Sequence, residues 1–556
     1  MTRKDLANLI FPNINKTVED YEKIYPERLL DKNAIVSRYA PSPTGFIHIG
    51  ALLSSFTDSV FAKQTNGVFY LRIEDTDTKR TVDNGINVII DGLKEFGVTF
   101  DEGPNSDNTS YGAYGPYIQS ERKEIYQAFI KHLIENGKAY PCFCSPEEID
   151  GIRKDQEACK ARIGYYGEWA HCRDLSTDEA YEKIKNGTPY IIRFRSEGDF
   201  NKKIICHDEI RGDIAFPEND IDIVIMKSDG LPTYHFAHLV DDHLMRTTHV
   251  IRGDEWLSSL PLHIQLFEAF GFKPLKYCHI APLCKVDDET GNVRKVSKRK
   301  DPEFAMSYYH KEGIPSEAVR LYLANITSSA FESWYMANPT LDIDDFKFEF
   351  KKMNKSGALF DVNKLMNISK TYISHLKAND LYNRVSKYLL EYDKEFYNVF
   401  TKDEVYSTNI LNIEREVKKP RKDIGKYSDV FNEINYMYDE YFKPIYEETN
   451  LNADMYLEYI SSVFNSNDDK NTWFNNLSEF AAKYNYAQMK DYKENPDNYV
   501  GHIGDFCEGL RYIISGRRQT PDLYEITKLL GKERLLSRIN NYKKDQIDMN
   551  PVSWTK

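Results

Sequence analysis

The chain has 556 residues, 41% hydrophobic and 29% charged, with a formal net charge of −13 at neutral pH. That length calls for several domains, the composition is that of a water-facing globular protein, and no apolar run approaches the ~18 to 20 residues of a membrane helix. Eight cysteines spread over this length make no disulfide framework, and the negative charge argues only globally against nucleic acid, because one basic face can coexist with an acidic exterior.

Residues 1–33 read as a helical extension ending in PERLLDKN. The segment mixes charged and apolar residues throughout, with no continuous apolar stretch and no small-residue cleavage site, so a cytoplasmic location is expected. Then comes AIVSRYA with strand composition, the loop PSPTGF, the stretch IHIGALLSSFTDSVFAKQTNG with helical spacing and a closing glycine, and the strand VFYLRIED. Strand, loop, helix and strand make a βαβ unit, and such units build parallel sheets that bind ligands at the carboxyl ends of their strands. Residues 34–119 are assigned to the first half of that sheet. His48 and Gly50 fall at the helix start, where free N–H groups favour phosphate and a glycine admits a nucleotide close to the backbone. Capping or packing is the ordinary role of a histidine there.

Residues 120–217 change texture, from the helical SERKEIYQAFIKHLIENGKAY to short strands such as PYIIRFRS, and read as an α+β insertion. Cys142 and Cys144 in YPCFCSPEE are spaced as a thiolate pair that could hold zinc with a later ligand. Residues 218–287, with DIVIMKSDGLPTYHFAHLVDDHLM and THVIRGDEW, restore the alternation and complete the sheet. In 288–379, Lys295, Ser297, Lys298 and Arg299 follow the turn-forming DDETGN. Basic runs are usually solvated, yet a serine between lysines on such a loop suits a mobile clamp that neutralises a departing pyrophosphate. Residues 380–556 read as all helical, and REVKKPRKDIGKY and SGRRQTPDLYE join basic residues to aromatics, a pairing that can hold phosphates and stack unpaired bases.

Taken together, RYAPSPTGFIHIG, LRIEDTD, YHFAHLVDD, HVIRGDEW and KVSKR resemble, in order and setting, the bacterial-type glutamyl-tRNA synthetases, which are class I aminoacyl-tRNA synthetases. The likeness covers nearly all of the chain after the extension. The HIGH signature corresponds to His48–Ala51, with Ala51 in place of the final histidine. The KMSKS signature corresponds to Lys295–Arg299, with Val296 and Arg299 in place of methionine and the final serine.

The resemblance implies an α/β fold: a Rossmann-like parallel sheet split by an acceptor-stem-binding insertion, then a stem-contact region and an all-helical anticodon-binding domain. It implies ATP as a substrate, Mg²⁺ with it, L-glutamate, and transfer of the glutamyl group to tRNA(Glu), with tRNA(Gln) left open as a second acceptor. His48 and Lys298 are expected to stabilise phosphate charge, and His48, Gly50, Lys295, Ser297 and Lys298 to bind ATP. Arg38, Ser42, Glu74, Tyr234 and Arg252 are expected to bind glutamate, together with His238, which stands where many relatives have asparagine. By the same resemblance, to the relatives that bind zinc here, Cys142, Cys144 and Cys172 are expected as zinc ligands, with reduced cysteines packed in a small module as the alternative. GYYGEWAHCRD offers Tyr165, Tyr166 or His171 as the fourth, and Tyr166 or His171 is the expected one. A monomer is expected. From another class, a noncatalytic tRNA-binding relative of the same scaffold is opposed by the intact His48, Gly50 and Lys298.

Overall fold

The computed structural model describes residues 1–549, apart from 44–46, 78–81, 83, 106, 108, 288, 298, 340 and 448–449. Two compact units emerge: residues 1–308 with 319–361, and residues 309–318 with 362–556.

In the first unit the expected βαβ element is present. Strand Val36–Tyr39 pairs in parallel with Val68–Leu71, and helix Ile49–Lys63 connects them. The return from helix to strand passes so close to the first strand that a Cβ at Gly67 would lie 1.9 Å from Ile35 O, so only glycine fits that crossing. Beyond Val68–Leu71 the sheet continues through parallel bridges from Tyr70 to Glu102 and from Ile73 to Ile118. On the other side Thr248 N–H donates to Val36 O, which sets strand His249–Gly253 beside the first strand. His249–Gly253 pairs in parallel with Lys276–Ile280, so these carboxyl ends open on one edge of the sheet.

Strand pairing crosses the boundaries read from sequence. The hairpin Lys203–Asp208 and Gly212–Pro217, grouped there with the insertion, joins the main sheet through Tyr277 opposite Asp208. Strand Val224–Met226, grouped with the second half, pairs instead with the insertion strands Ala139–Cys142 and Ile191–Phe194. Alternation marks a strand but not its partner, which long-range packing selects.

The amino-terminal extension forms helices Arg3–Ile10 and Val18–Ile24, each opened by a capping box, Thr2 with Asp5 and Thr17 with Asp20. Leu6, Ala7 and Ile10 bury themselves in the same apolar core as helix Lys123–Glu135. Arg28 then ties distant segments together: its Nη atoms sit 2.8 Å from the two oxygens of Glu102, and its Nε donates to Met245 O at 3.0 Å. Arg246 completes the seam through Glu22 at 2.7 Å and Tyr25 O at 3.0 Å.

The second unit is helical, built from Val362–His375 through Leu523–Met549 around one apolar core, with Gly531 breaking the last helix. Two short parallel strands, Tyr486–Ala487 and Gly501–His502, are its strand content among the described residues. Among the described residues no helix is long and apolar enough to cross a membrane.

Candidate active site

A cleft of about 580 Å³ opens at the carboxyl ends of the parallel strands. Arg38, Ser42, Glu74, Tyr234 and Arg252 line it together with His48, Gly50 and Lys295. Eight of the residues singled out from sequence therefore meet in one cavity, although they lie as far apart in the chain as Arg38 and Lys295.

Arg38 is next to last in the first strand and is buried. Its Nε lies 3.1 Å from both oxygens of Asp242, while its terminal nitrogens have no hydrogen-bond partner among the described residues. Asp242 also takes Arg72 Nη1 at 2.5 Å, and Arg72 Nη2 reaches Glu74 Oε1 at 3.1 Å. The neighbouring Asp241 takes Arg122, Gln119 and Tyr126 at 2.7 to 2.9 Å and lies 3.6 Å from Arg72 Nε. Two adjacent aspartates on helix Tyr234–Leu244 thereby fix three arginines, and through Arg72 they also fix the carboxylate of Glu74. Burial raises the Glu74 pKa, while the Arg72 and Arg38 guanidiniums oppose that shift. Asp242 is held well below the usual carboxylate range by Arg38 and Arg72, against its burial.

Arg252 is next to last in strand His249–Gly253 and has no carboxylate partner among the described residues. Its contacts are His279 Nε2 at 3.0 Å, His263 Nδ1 at 3.1 Å, Tyr234 OH at 3.4 Å and Trp256 O at 3.5 Å. Beside the Lys295 and Glu255 pair, the cleft thus presents two cationic forks and the carboxylate of Glu74, the complement of a molecule with two carboxylates and one ammonium.

His48 caps helix Ile49–Lys63: its Nδ1 accepts the Ala51 N–H at 3.0 Å, and its ring stacks on Phe304 at 4.6 Å. The capping role and a ligand role coexist, because acceptance at Nδ1 places the proton on Nε2 as a donor. Burial, and next to it Lys295, lowers the His48 pKa and keeps the ring neutral. A Cβ at Gly50 would lie 3.1 Å from that Nδ1, so a side chain there would disturb the capping imidazole. An antiparallel bridge from His48 to Ala305 joins this loop to the segment after the basic run.

Lys295 ends the hairpin Leu283–Val286 and Val293–Lys295, with its Nζ 3.7 Å from Glu255. Ser297 N–H donates to Asp301, which Arg294 grips with both Nη atoms at 2.7 and 2.8 Å. Ser297 does not line the cleft, and Lys298, like Gly45 of the first loop, lies outside the described residues.

His238 departs from the expected glutamate contact. It lies fully buried one layer behind Tyr234, with Nδ1 2.6 Å from Asp242 and Nε2 3.2 Å from Tyr277 OH, so both ring nitrogens already face protein groups. Sequence reading also missed Asp242, Arg72, His263 and His279. Their signal was faint: buried polar residues in apolar elements, with no motif of their own.

In the insertion, the sulfurs of Cys142, Cys144 and Cys172 lie within 4.8 Å of one another. Tyr165 OH stands 3.5 Å from Cys142 and 3.3 Å from Cys144. Tyr166, expected as a candidate fourth ligand, instead donates to Arg162 O at 2.9 Å, since neighbouring side chains leave an extended backbone on opposite faces. His171 is exposed and is not among the clustered ligand atoms. The Cys172 thiol, with Tyr165 and Arg193, holds the Cys142 thiol down to about 4. Three sulfurs, one readily ionised, beside a phenol oxygen form a soft donor set suited to zinc.

In the helical unit, Lys418, Lys419, Lys422 and Arg518 are exposed. Arg415 of the first basic run is instead drawn inside, where it donates to Leu411 O and Ile373 O.

Residues 34–367 match the profile of the class I tRNA synthetases (E and Q), catalytic domain, and residues 380–543 match the anticodon binding domain. The chain is 48% identical over 548 residues to a glutamate--tRNA ligase of Clostridium perfringens, covering 97% of this chain and 100% of that one. It is 45% identical over 549 residues to one of Acetivibrio thermocellus, covering 97% and 99%. Among solved structures it is similar to a glutamate-tRNA synthetase of Elizabethkingia anophelis, with a TM-score of 0.73 at 27% identity, covering 92% of this chain and all of that one. A glutamate tRNA ligase from Elizabethkingia meningosepticum in complex with its amino acid is similar at the same TM-score and 28% identity, covering 92% and 99%.

Proposed function

The chain belongs to the class I tRNA synthetases of the glutamate and glutamine group, with glutamate--tRNA ligase activity, and we propose that the cleft at the carboxyl ends of its parallel strands is where glutamate and ATP react. The observation that carries this reading is the charge arrangement of Arg38, Arg252 and Glu74 beside the His48 helix terminus. Arg38 and Arg252 would hold the two carboxylates of glutamate, and Glu74 its ammonium, with Ser42 and Tyr234 closing the pocket. Neutral glutamine would leave one guanidinium without its anion, which favours glutamate.

ATP would lie over the amino terminus of helix Ile49–Lys63, against His48 and Gly50, with Lys295, Ser297 and Lys298 at its phosphates and Mg²⁺ arriving as part of that substrate. The α-carboxylate of glutamate attacks the α-phosphate, forming the acyl–phosphate bond as the bond to pyrophosphate breaks. A ribose hydroxyl of the terminal tRNA adenosine then takes the glutamyl group, and AMP leaves. Both attacking oxygens belong to substrates, so the protein orients them and stabilises charge. The His48 Nε2–H and the Lys298 ammonium are the donors proposed for the phosphate oxygens.

The module containing residues 120–217 is proposed to meet the acceptor stem, 288–379 to contact the stem, and 380–556 to bind the anticodon through exposed basic residues such as Lys418 and Lys422. Cys142, Cys144 and Cys172, with Tyr165, would hold a structural zinc ion. We further propose a cytoplasmic monomer.

The test is aminoacylation with glutamate and with glutamine against separate tRNA(Glu) and tRNA(Gln) transcripts. Glutamate on tRNA(Glu) is the expected product, and no charging of that transcript would overturn the reading. Glutamate on tRNA(Gln) in the same assay would add the second acceptor.

A further inference from the structure

Arg252 is held in an unusual way for a buried arginine. A guanidinium donates and never accepts, so each protein group that fixes it must offer a lone pair. Carboxylates usually do so, as Asp242 does for Arg38. For Arg252 the two shortest contacts are imidazole nitrogens, His279 Nε2 at 3.0 Å and His263 Nδ1 at 3.1 Å.

These contacts fix the proton on every ring of the cluster. His279 accepts at Nε2, so its proton sits on Nδ1 and is donated to Asp208 Oδ2 at 2.7 Å. Asp208 is pinned in turn by the N–H groups of His279, Ile210 and Arg211 at 2.8 to 3.0 Å. His263 accepts at Nδ1, so its proton sits on Nε2 and faces His235 Nδ1 at 2.9 Å. A protonated ring at either position would turn an N–H toward the guanidinium. Burial, followed by neighbouring cations and rings, lowers the pKa of His263 well below the ordinary value and that of His279 below it.

We propose that His263 and His279 are positioning residues for Arg252: as neutral acceptors they fix its guanidinium while leaving its charge uncompensated for a carboxylate of the amino-acid substrate. A carboxylate in either place would orient Arg252 equally well and cancel the charge that separates glutamate from glutamine. This inference rests on the reading that Arg252 binds substrate.

The test is steady-state kinetics of pyrophosphate exchange in the presence of tRNA(Glu), with melting temperatures as the check on folding. Arg252→Ala, His263→Leu, His279→Leu, His263→Asn, His279→Gln and His263→Asp are compared. Each leucine variant is expected to raise the glutamate KM about tenfold, the effect of a lost hydrogen bond to a charged group, while the ATP KM stays within about twofold. Asparagine at 263 and glutamine at 279 replace the accepting nitrogen by an amide oxygen and are expected to recover most of the loss. His263→Asp is expected to lower the preference for glutamate over glutamine by about tenfold or more. Unchanged glutamate KM in Arg252→Ala would overturn the underlying assignment. A raised KM in Arg252→Ala with wild-type values in both leucine variants would overturn only the positioning role. Should the leucine variants melt below the assay temperature, the amide variants and His263→Asp decide: an unaltered glutamate preference in His263→Asp overturns the proposal.

Discussion

Arg38 places its Nε 3.1 Å from both carboxylate oxygens of Asp242, and the same carboxylate takes Arg72 and faces His238. One buried anion is therefore shared by two buried cations beneath the cleft, with Glu74 and Asp241 as the further anions near Arg72. Removing one partner from such a set leaves charge that neither water nor protein answers. Asp242→Asn is expected to destabilise the catalytic unit by about 3 to 5 kcal/mol, read from urea unfolding followed by activity and tryptophan fluorescence. A loss below about 1 kcal/mol would mean that the arginines find other partners.

Lys298→Ala is expected to slow pyrophosphate exchange by about two to three orders of magnitude, as with the removal of other transition-state donors. Glutamate and ATP binding to the ground state should change far less. Near-normal exchange would take Lys298 out of the phosphate clamp.

For the insertion, metal analysis of protein purified without chelator should give one zinc per chain, and Cys172→Ser should lose it. Tyr165→Phe should release zinc to a chelator faster than wild type, whereas Tyr166→Phe should not differ. Wild-type protein lacking stoichiometric zinc would reduce the cluster to packed thiols.

Stability should fall as the solution is acidified from pH 6.5 toward 5. Burial holds His238 down to about 3 and, with help from Arg252, His235 down to about 4; His249 is likewise lowered to about 4, by burial and then Lys276. Once unfolded, these rings regain their ordinary pKa near 6.5 and bind protons that the folded chain refuses. The unfolded state then binds more protons, so each fully buried ring such as His238 costs about 1.4 kcal/mol per pH unit in that window. The urea midpoint of the catalytic unit at pH 5 should lie below that at pH 7. Equal midpoints would contradict the buried neutral rings.

Sequence legibility followed the range of the interaction that sets each feature. The βαβ element could be read because its signals are local: strand composition, the Pro41 and Pro43 loop, helical spacing after His48 and a glycine at the return. Arg38, Glu74 and Arg252 could be placed because each lies near or just past the carboxyl end of a strand within a motif. The histidines behind Arg252 could not, since His263 lies in a helix and His279 in a strand, and only the fold turns their nitrogens toward one guanidinium. His238 looked like a ligand contact by its position in YHFAHLVDD, but its Nδ1 faces Asp242, one helical turn onward, at 2.6 Å. Tyr165 and Tyr166 are indistinguishable in sequence and separate only when the backbone assigns them opposite faces.

The extension had no assignable role in the sequence, yet Arg28 joins Glu102 to Met245, its backbone partner 217 residues further along the chain. During synthesis at roughly 5 to 20 residues per second, that partner emerges some 10 to 40 s after Arg28 itself. The apolar faces of the extension can dock as soon as helix Lys123–Glu135 is made, whereas the polar seam that locks them waits for the segment around Met245.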